Sequence, residues 1–494
     1  MIATLIFAGL TLFTFIIFHI IVTPYMKIQS YKKEGVTTYF FPVLGFLKYL
    51  TKDFAKTGDI LTPVKEASKE NPDQNYMVTN LITNTLFVLR GTEYIKDFIQ
   101  KQGLYRKIKA VHAFKHLGGN SLGLLEGDDW KKRRKLISNA FHFDFLKDQM
   151  KCVQETAREA LSSITPEEMN KYSIISKMQE ITGQVVCRIF FGKSISQYRF
   201  EGKSLTDAAG EIVAELSQCT RTPLVVFFGP KVMEMPFIPR FARIMKRIKA
   251  FRKFCTDIVQ DRKATRTNEK DLLSALLETQ NHENPDMRIC DEDIVSEFIF
   301  FFIAGMDSTG DMTGMTIYNL TRNPDYVREL KEEREATYNQ DCDIDTLQKM
   351  NVLHSFLKET LRLYSPTTAT FIREAQADHR ILDLEIKKGQ LVRSDFFFSY
   401  HHAGNFKNPE EFNPARWRDP DFNVEPFAFT PFSAGARNCP GQHLALLEAK
   451  IIISEFLNRF DFQAEEGYKL RMTMRFLYEP YDEIFLKLTP KNVV

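Results

Sequence analysis

The stretch DEDIVSEFIFFFIAGMDSTGDMTGMTIYNLTRNP, residues 291–324, constrains the fold most strongly. The acidic residues at its start and the Asn-Pro pair at its end are typical boundary signals of a helix. Its centre is nearly all apolar, so it offers no polar face to water. We therefore expect one long helix that runs through the core of the protein.

Most of the remaining sequence also predicts helices. Glycine and proline number 23 and 20 among 494 residues, which favours long helices over a sheet-rich architecture. Helices are predicted over residues 128–150, 239–267 (basic and amphipathic), 351–366 and 442–459. Short β-like pieces, ATFIREA, HRILDLEI and LVRSDFFFSY, precede the last of these helices, and a β-like tail ends the chain. The expected fold class is mainly α with a small β portion.

The first 26 residues contain no Asp, Glu, Lys or Arg. As a helix, this run is long enough to cross a hydrocarbon layer of about 30 Å. A cleaved signal peptide is the alternative, but the apolar run is too long for one, no basic residues precede it and no A-x-A site follows. Lys27, Lys32 and Lys33 come directly after the run, and positive charge stays on the cytoplasmic side. We expect a single transmembrane anchor over residues 1–26, a connector over residues 27–50 and one cytosol-facing domain over residues 51–494.

Charge and motif content exclude several classes of function. The net charge of +3 is small and no nucleic-acid-binding motif is present, so no nucleic-acid partner is expected. The segment GGNSLG, residues 118–123, is neither a dinucleotide-binding nor a phosphate-binding loop. The segment GMDSTG, residues 305–310, is not a G-x-S-x-G nucleophile motif and lies inside a predicted helix.

One cysteine of the seven stands apart from the others. Cys439 lies in the turn FSAGARNCPG, directly before the helix predicted from residue 442. A thiolate can be the single protein ligand of a haem iron, and Gly435 and Gly441 would let the backbone approach the flat macrocycle closely. Because Pro440 lacks an N–H group, Gly441 and Gln442 are the expected hydrogen-bond donors to the sulfur. The alternative is a buried structural thiol, in which case a histidine such as His443 could bind haem, or no haem would bind.

The pattern around Cys439 resembles the haem-binding signature of the cytochrome P450 family, F-x-x-G-x-R-x-C-x-G. It is matched at Phe432, Gly435, Arg437, Cys439 and Gly441. The extension through Ala445 and Glu448 also matches. The resemblance implies the cytochrome P450 fold and a haem b group, with Cys439 as the axial iron ligand and Phe432, Arg437 and Gly441 at the cofactor.

A second landmark is the pair Glu359 and Arg362 in E-x-x-R, which share a helix face at this spacing. In the family an arginine of a later P-x-R motif joins the pair and braces the haem-binding core. Here the resemblance assigns that position to Arg416 in PEEFNPARW. The aromatic residue that follows, usually Phe in the family, is Trp417.

A third landmark, AGMDST at residues 304–309, resembles the proton-delivery motif of the central helix. It implies catalytic roles for Asp307, Ser308 and Thr309, an acid and hydroxyls that relay protons to reduced oxygen. The chain departs from the commoner form, because Ser308 stands at the relay position. A helix in which Ser or Thr bonds back to the i−4 carbonyl is the structural alternative.

Arginines elsewhere complete the resemblance. Trp130 and Arg134 match the W-x-x-x-R motif whose side chains bind haem propionates, and Arg373 matches a further propionate-binding position. The basic run WKKRRK around them is either a solvated helix face or the docking surface for an acidic electron donor.

The implied function is that of a membrane-anchored haem-thiolate monooxygenase. It would take electrons from NADPH through a reductase partner and insert one oxygen atom of O₂ into a hydrophobic small molecule. Residues 105–125, FIFFFIAG and TTATF would line the pocket, residues 223–241 would contact membrane lipid, and the expected membrane is that of the endoplasmic reticulum. The alternatives are rearrangement of a peroxide without a reductase and a haem-binding protein without turnover.

Overall fold

The computed structural model describes residues 17–40, 69–192, 195–265, 271–280, 288–337, 343–474 and 476–491, together with residues 7, 11, 14, 15, 42, 65, 283 and 284. Helices dominate this part of the chain. Their bounds are α1 Thr23–Lys33, α2 Thr92–Gln100, α3 Lys115–Gly118, α4 Gly127–Ser138, α5 Phe143–Ser162, α6 Pro166–Asn170, α7 Ile174–Phe191, α8 Leu205–Thr220, α9 Pro223–Phe228, α10 Pro239–Thr265, α11 Leu272–Thr279, α12 Asp291–Thr321, α13 Pro324–Thr337, α14 Ile344–Lys349, α15 Asn351–Tyr364, α16 Phe396–Tyr400 and α17 Gln442–Arg459.

The strands are short and form one larger sheet and several small ones. Their bounds are β1 Thr38–Tyr39, β2 Tyr76–Leu81, β3 Asn84–Leu89, β4 Tyr105–Lys107, β5 Tyr172–Ser173, β6 Arg199–Phe200, β7 Lys203–Ser204, β8 Arg373–Ala375, β9 His379–Ile381, β10 Leu384–Ile386, β11 Leu391–Ser394, β12 Phe460–Ala464, β13 Met472–Met474, β14 Tyr478–Pro480 and β15 Phe485–Pro490. A mixed six-stranded sheet has the order β1-β2-β3-β11-β8-β4, and β12-β15-β5 form a second sheet. The predicted mainly α fold with a small β portion is confirmed.

Helix α12 is the central element, as its apolar sequence predicts. Nearly all of its residues from Ile294 to Leu320 are buried. Glycines allow α7 to approach it closely: a Cβ on Gly310 would lie 2.6 Å from the Cα of Gln179, and one on Gly305 would lie 2.5 Å from Val186 Cγ2. Glycine at position 305 is thus required by helix packing.

Two details of the sequence-based assignment are wrong. The predicted helix 128–150 is interrupted after Ser138 by a 3₁₀ turn, Asn139–Phe141, and the chain continues as α5. The segment FFFSY is the short helix α16 instead of a strand, because Asp395 caps it by accepting a hydrogen bond from the N–H of Phe398 at 3.4 Å.

Of the predicted anchor, residues 1–26, the structure describes residues 7, 11, 14, 15 and 17–26, while residues 41 and 43–50 of the connector lie outside the described residues. Among the helices that the structure describes, none has the length and hydropathy needed to cross a membrane. Residues 27–40 pack on the larger sheet: Ile28 is buried, the rings of Tyr31 and Phe87 lie 5.6 Å apart, and β1 pairs with β2.

Candidate functional site

The loop that carries Cys439 is folded by its own backbone. Gly435 has a φ of +70°, and a Cβ there would lie 2.8 Å from Ile99 Cγ2. The N–H of Cys439 donates to the carbonyl of half-buried Phe432 at 2.9 Å, which closes the loop directly before α17. A Cβ on Gly441 would lie 3.9 Å from the sulfur. Glycine at 435 and 441 therefore keeps both the turn and the surroundings of the sulfur free of side chains.

Cys439 is an exposed residue, although protein atoms surround it closely. Burial raises the pKa of Cys439, while the N–H groups of Gly441 and Gln442 and the charge of Arg134 act to lower it. These are the two backbone donors that the sequence predicts. A metal cation at the sulfur would offset the burial and stabilise the thiolate, because a coordinating thiol loses its proton.

Arg134 donates hydrogen bonds to the loop that carries Cys439. Its Nη1 donates to the carbonyl of Asn438 at 3.1 Å, and its Nη2 donates to the Asn438 side chain at 2.9 Å. Helix α4 is thereby joined to the residue that precedes Cys439. A propionate contact for Arg134 stays a prediction.

A cluster of cations lies beside this loop. Arg373 and Lys107 stand directly opposite each other on the paired strands β8 and β4, an arrangement that is unfavourable for like charges. They share one carboxylate: Glu126 Oε1 is 3.6 Å from Lys107 Nζ and 3.9 Å from Arg373 Nη1. Arg437 lies near both, with its guanidinium 4.0 Å from the centre of the Trp130 ring and its Nη1 bonded to the carbonyl of Leu125.

We call Lys107, Arg373, Arg437 and the carboxylate Glu126 the cation cluster. Its basic side chains outnumber its one acidic side chain. Burial, reinforced by the charges of Arg437 and Arg373, lowers the pKa of Lys107 to about 7. Burial, reinforced by the charge of Arg373, lowers the pKa of Arg437 to about 10. The buried Nε of Arg373 has no hydrogen-bond partner in the described part of the chain. With Lys107 protonated, three cations and one carboxylate carry a net charge of +2, which fits the two propionate groups of haem b.

The predicted proton-relay residues do not share one face of α12. Ala304 is exposed and Ser308 is half-buried, although the helix around them is buried, whereas Asp307 and Thr309 are buried. The Ser308 hydroxyl donates to the Ala304 carbonyl at 2.7 Å, which is the bond back to i−4. Burial, with a smaller contribution from the negative charge of Glu479, raises the pKa of Asp307 to about 8. Of the three, Ser308 alone is presented on the accessible face.

Glu359, Arg362 and Arg416 form one buried network. The Glu359 carboxylate accepts from Arg362 Nη2 at 2.8 Å, from Arg362 Nε at 3.0 Å and from Arg416 Nε at 3.2 Å. The backbone N–H of Asn413 and the indole N–H of Trp417 also donate to it, at 2.8 and 2.9 Å. The three predicted residues therefore meet, and Trp417 adds a donor that the usual phenylalanine lacks.

Two charged residues at the site were not singled out from the sequence, although Lys107 falls within residues 105–125, the predicted pocket lining. Lys107 and Glu126 are ordinary surface residue types in sequence, and no motif surrounds them. Only the pairing of β4 with β8 brings Lys107 beside Arg373, and the backbone N–H of Lys107 then bonds to Glu126 at 2.8 Å.

Known proteins resemble this chain over most of its length. The family model described as "Cytochrome P450" matches residues 55–487. Cytochrome P450 3A29 of Sus scrofa is 27% identical over 431 residues, covering 82% of this chain and 83% of the relative. Cytochrome P450 72A68 of Medicago truncatula is 27% identical over 77% of this chain and 74% of the relative. Cytokinin hydroxylase of Arabidopsis thaliana is 28% identical over 78% of this chain and 76% of the relative. With its family match spanning most of the sequence, the chain belongs to the cytochrome P450 family, whose members are haem-thiolate monooxygenases.

Proposed function

We propose that this enzyme inserts one oxygen atom of O₂ into an apolar organic substrate, using electrons that a reductase takes from NADPH. The observation that carries the proposal is the setting of Cys439: an exposed cysteine with two backbone donors, beside the cation cluster. The reaction consumes two electrons and two protons and releases the second oxygen atom as water. An acid and a hydroxyl on α12 suit the delivery of those protons.

The residues fit a haem b group. Cys439 would hold the iron, and the cation cluster with Trp130 would bind the propionates, while Arg134 fixes the loop that carries the ligand. A thiolate-ligated haem supplies the electron density that favours cleavage of the O–O bond. Ala304 is exposed in the middle of a buried helix, so that helix surface is open to a ligand. The 43% exposed side chain of Phe371, in the predicted TTATF lining, offers apolar contact area.

We further propose that the chain lies at a membrane, with the predicted anchor at residues 1–26 and the catalytic domain in the cytosol, at the endoplasmic reticulum. The segment 223–241, which was expected to contact lipid, presents large apolar side chains: Phe228 is 72% exposed and Phe237 is 75% exposed. Exposed aromatic residues grouped on one surface are typical of a lipid contact.

Lipid-borne quenchers test this contact in vesicles that contain the full chain. A tryptophan introduced by Phe228→Trp should lose fluorescence to doxyl-labelled phospholipid, after subtraction of the two native tryptophans. Leu382→Trp is the matched control, because Leu382 is also exposed but lies in the turn between β9 and β10. Equal quenching at both positions would refute the lipid contact.

The electron donor is proposed to dock on α4. Lys131, Lys132 and Lys135 are exposed on this helix, and Arg134, in the same turn, is hydrogen-bonded to the Cys439 loop. An acidic reductase surface would complement this charge. The variant Lys135→Glu should raise the KM for the reductase several-fold and leave ligand binding unchanged.

Turnover distinguishes the proposal from its alternatives. The purified chain with an NADPH-dependent reductase should consume NADPH faster when a suitable apolar compound is present, and should release an oxygenated product. Turnover of a peroxide without NADPH would indicate rearrangement. Haem binding with neither activity across a broad panel of compounds would indicate a binding protein.

A further inference from the structure

The glycine-rich segment 116–125, HLGGNSLGLL, has no nucleotide-binding pattern, and the structure gives it a different role. It crosses the first half of α12 at very short range. Gly119 has a φ of +50°, and a Cβ on it would overlap the side chain of Ser296. A Cβ on Gly123 would overlap the ring of Phe300. A side chain at either position would have to displace its neighbour on α12, so both glycines favour the close approach of the segment to the helix.

A buried carboxylate on α12, Glu297, forms hydrogen bonds that hold the segment 116–125 in place. Glu297 is fully buried, and its Oε1 accepts the backbone N–H of Leu122 at 2.9 Å. The same oxygen accepts from Arg133 Nη1 at 2.6 Å, and Arg133 Nη2 is 2.8 Å from Asp293. Arg133 Nη1 also bonds to the carbonyl of Asn120 at 3.3 Å, so the pair holds the segment by both an N–H and a carbonyl group.

Glu297 lies on the same side of α12 as the accessible residues Ala304 and Ser308. At about 100° per residue, positions 297, 300, 304 and 308 fall within about 80° of one another. Seven residues separate Glu297 from exposed Ala304, which is about 10 Å along the helix at a rise of about 1.5 Å. The segment therefore covers α12 beside the surface that the proposed function assigns to the substrate.

Helix α4 contacts both Glu297 and the loop that carries Cys439. Arg133 reaches Glu297, while the next residue, Arg134, reaches Asn438 beside Cys439. One rigid helix thus holds both the segment 116–125 and the loop of the axial ligand.

We propose that Glu297 is a positioning residue that holds the segment 116–125 closed on α12 and thereby sets the rate at which ligands reach the pocket. The proposal rests on the proposed function for the location of the pocket. Glu297 takes no part in the chemistry. Weakening its bonds lets the segment open more often, so ligands bind and leave faster while their equilibrium affinity changes little.

Three variants test this role. Glu297→Gln keeps an oxygen for the Leu122 N–H but removes the charge facing Arg133. Glu297→Asp keeps the charge and withdraws it by one methylene group, which provides a milder change if the amide impairs folding. Asp293→Asn is the matched control, because Asp293 contacts Arg133 but makes no hydrogen bond to the segment within the described part of the chain, and its side chain is 23% exposed.

Hydrogen–deuterium exchange of the haem-loaded protein is the first readout. In both Glu297 variants, amides of residues 116–125 should exchange about tenfold faster or more, because a hydrogen bond to a charged group has been weakened. Exchange elsewhere and the absorption spectrum of the haem should stay as in the parent protein. In Asp293→Asn, exchange of the segment should change by less than about threefold.

Stopped-flow binding of 4-phenylimidazole is the second readout. The association and dissociation rates should both rise about three- to tenfold in the Glu297 variants, with the Kd changed less than about twofold. Unchanged exchange in the segment, or faster exchange throughout the chain with a lost haem spectrum, would overturn the proposal. Because neither readout requires turnover, a failed monooxygenase assay would refute the proposed function without deciding the role of Glu297.

Discussion

Replacing Trp417 by phenylalanine tests whether its indole group is part of the buried network around Glu359. The Glu359 carboxylate is fully buried and receives its hydrogen bonds from two arginines, one backbone N–H and the indole of Trp417. Phenylalanine keeps an aromatic ring beside Phe429, whose centre lies 4.6 Å from that of Trp417, but it has no N–H group. The variant therefore removes chiefly one donor to a buried charge.

The size of the effect follows from that lost donor. A hydrogen bond to a charged group contributes about 1.5–3 kcal/mol, and the remaining donors place the cost near the lower end, at about 2 kcal/mol. An unfolding entropy of about 2.1 cal/mol/K per residue gives about 1 kcal/mol/K for a chain of 494 residues. The Tm should therefore fall by about 2 °C. If the network breaks before the haem leaves, the rate of haem loss should rise by up to about 30-fold.

The assay compares Tm by circular dichroism and haem loss by absorption at one scan rate. Phe422→Leu is the matched control, since Phe422 packs edge-on against the Trp417 ring at 5.4 Å, and no bond from it to Glu359 is seen in the described part of the chain. Loss of aromatic packing alone should affect both variants alike, whereas loss of the indole bond should affect haem retention in Trp417→Phe more strongly. A Trp417→Phe variant as stable as the parent protein would refute the reasoning.

Two further predictions concern charge at the site. Burial raises the pKa of Asp307 from its unfolded value of about 3.9 to about 8, so the folded state holds this proton more tightly, and the free energy of unfolding should fall by up to about 1.4 kcal/mol per pH unit as pH rises between these values. Asp307→Asn should flatten that slope in denaturation measurements and, if Asp307 relays protons, lower the yield of product per NADPH consumed. An unchanged slope would contradict the assignment. Lys107→Met should speed the transfer of haem to apomyoglobin several-fold, because it removes one of the three cations of the cluster. The control Lys109→Met, at an exposed position, should not change the rate, and equal rates for both variants would argue against a propionate site at Lys107.

Helix boundaries were predictable where local signals and tertiary structure agree. The helix predicted over 442–459 is observed as Gln442–Arg459, and the one predicted over 351–366 is observed as Asn351–Tyr364. The interruption after Ser138 could not be read from the sequence, because NAFHF contains neither glycine nor proline. Packing of the Phe141 ring against Phe190, at 5.0 Å, accompanies this break and has no local signature.

The candidate site was predictable to the extent that its residues belong to motifs. The motifs single out Cys439 and Glu359, and the structure gives the first two backbone donors and the second a buried network with Arg362 and Arg416. Lys107 and Glu297 were not found, because a lysine in a short strand and a glutamate in a helix are common in any protein. Their importance comes from long-range pairing: β4 lies beside β8, and Glu297 meets a segment 175 residues earlier in the chain.

The central claim, that Cys439 is a thiolate ligand of haem iron, is tested most directly by the absorption spectrum of the reduced, carbon-monoxide-bound protein. We expect a strongly red-shifted Soret band in the parent protein and its loss in Cys439→Ala. A band typical of imidazole ligation, for instance through His443, or a red-shifted band that survives in Cys439→Ala, would contradict it.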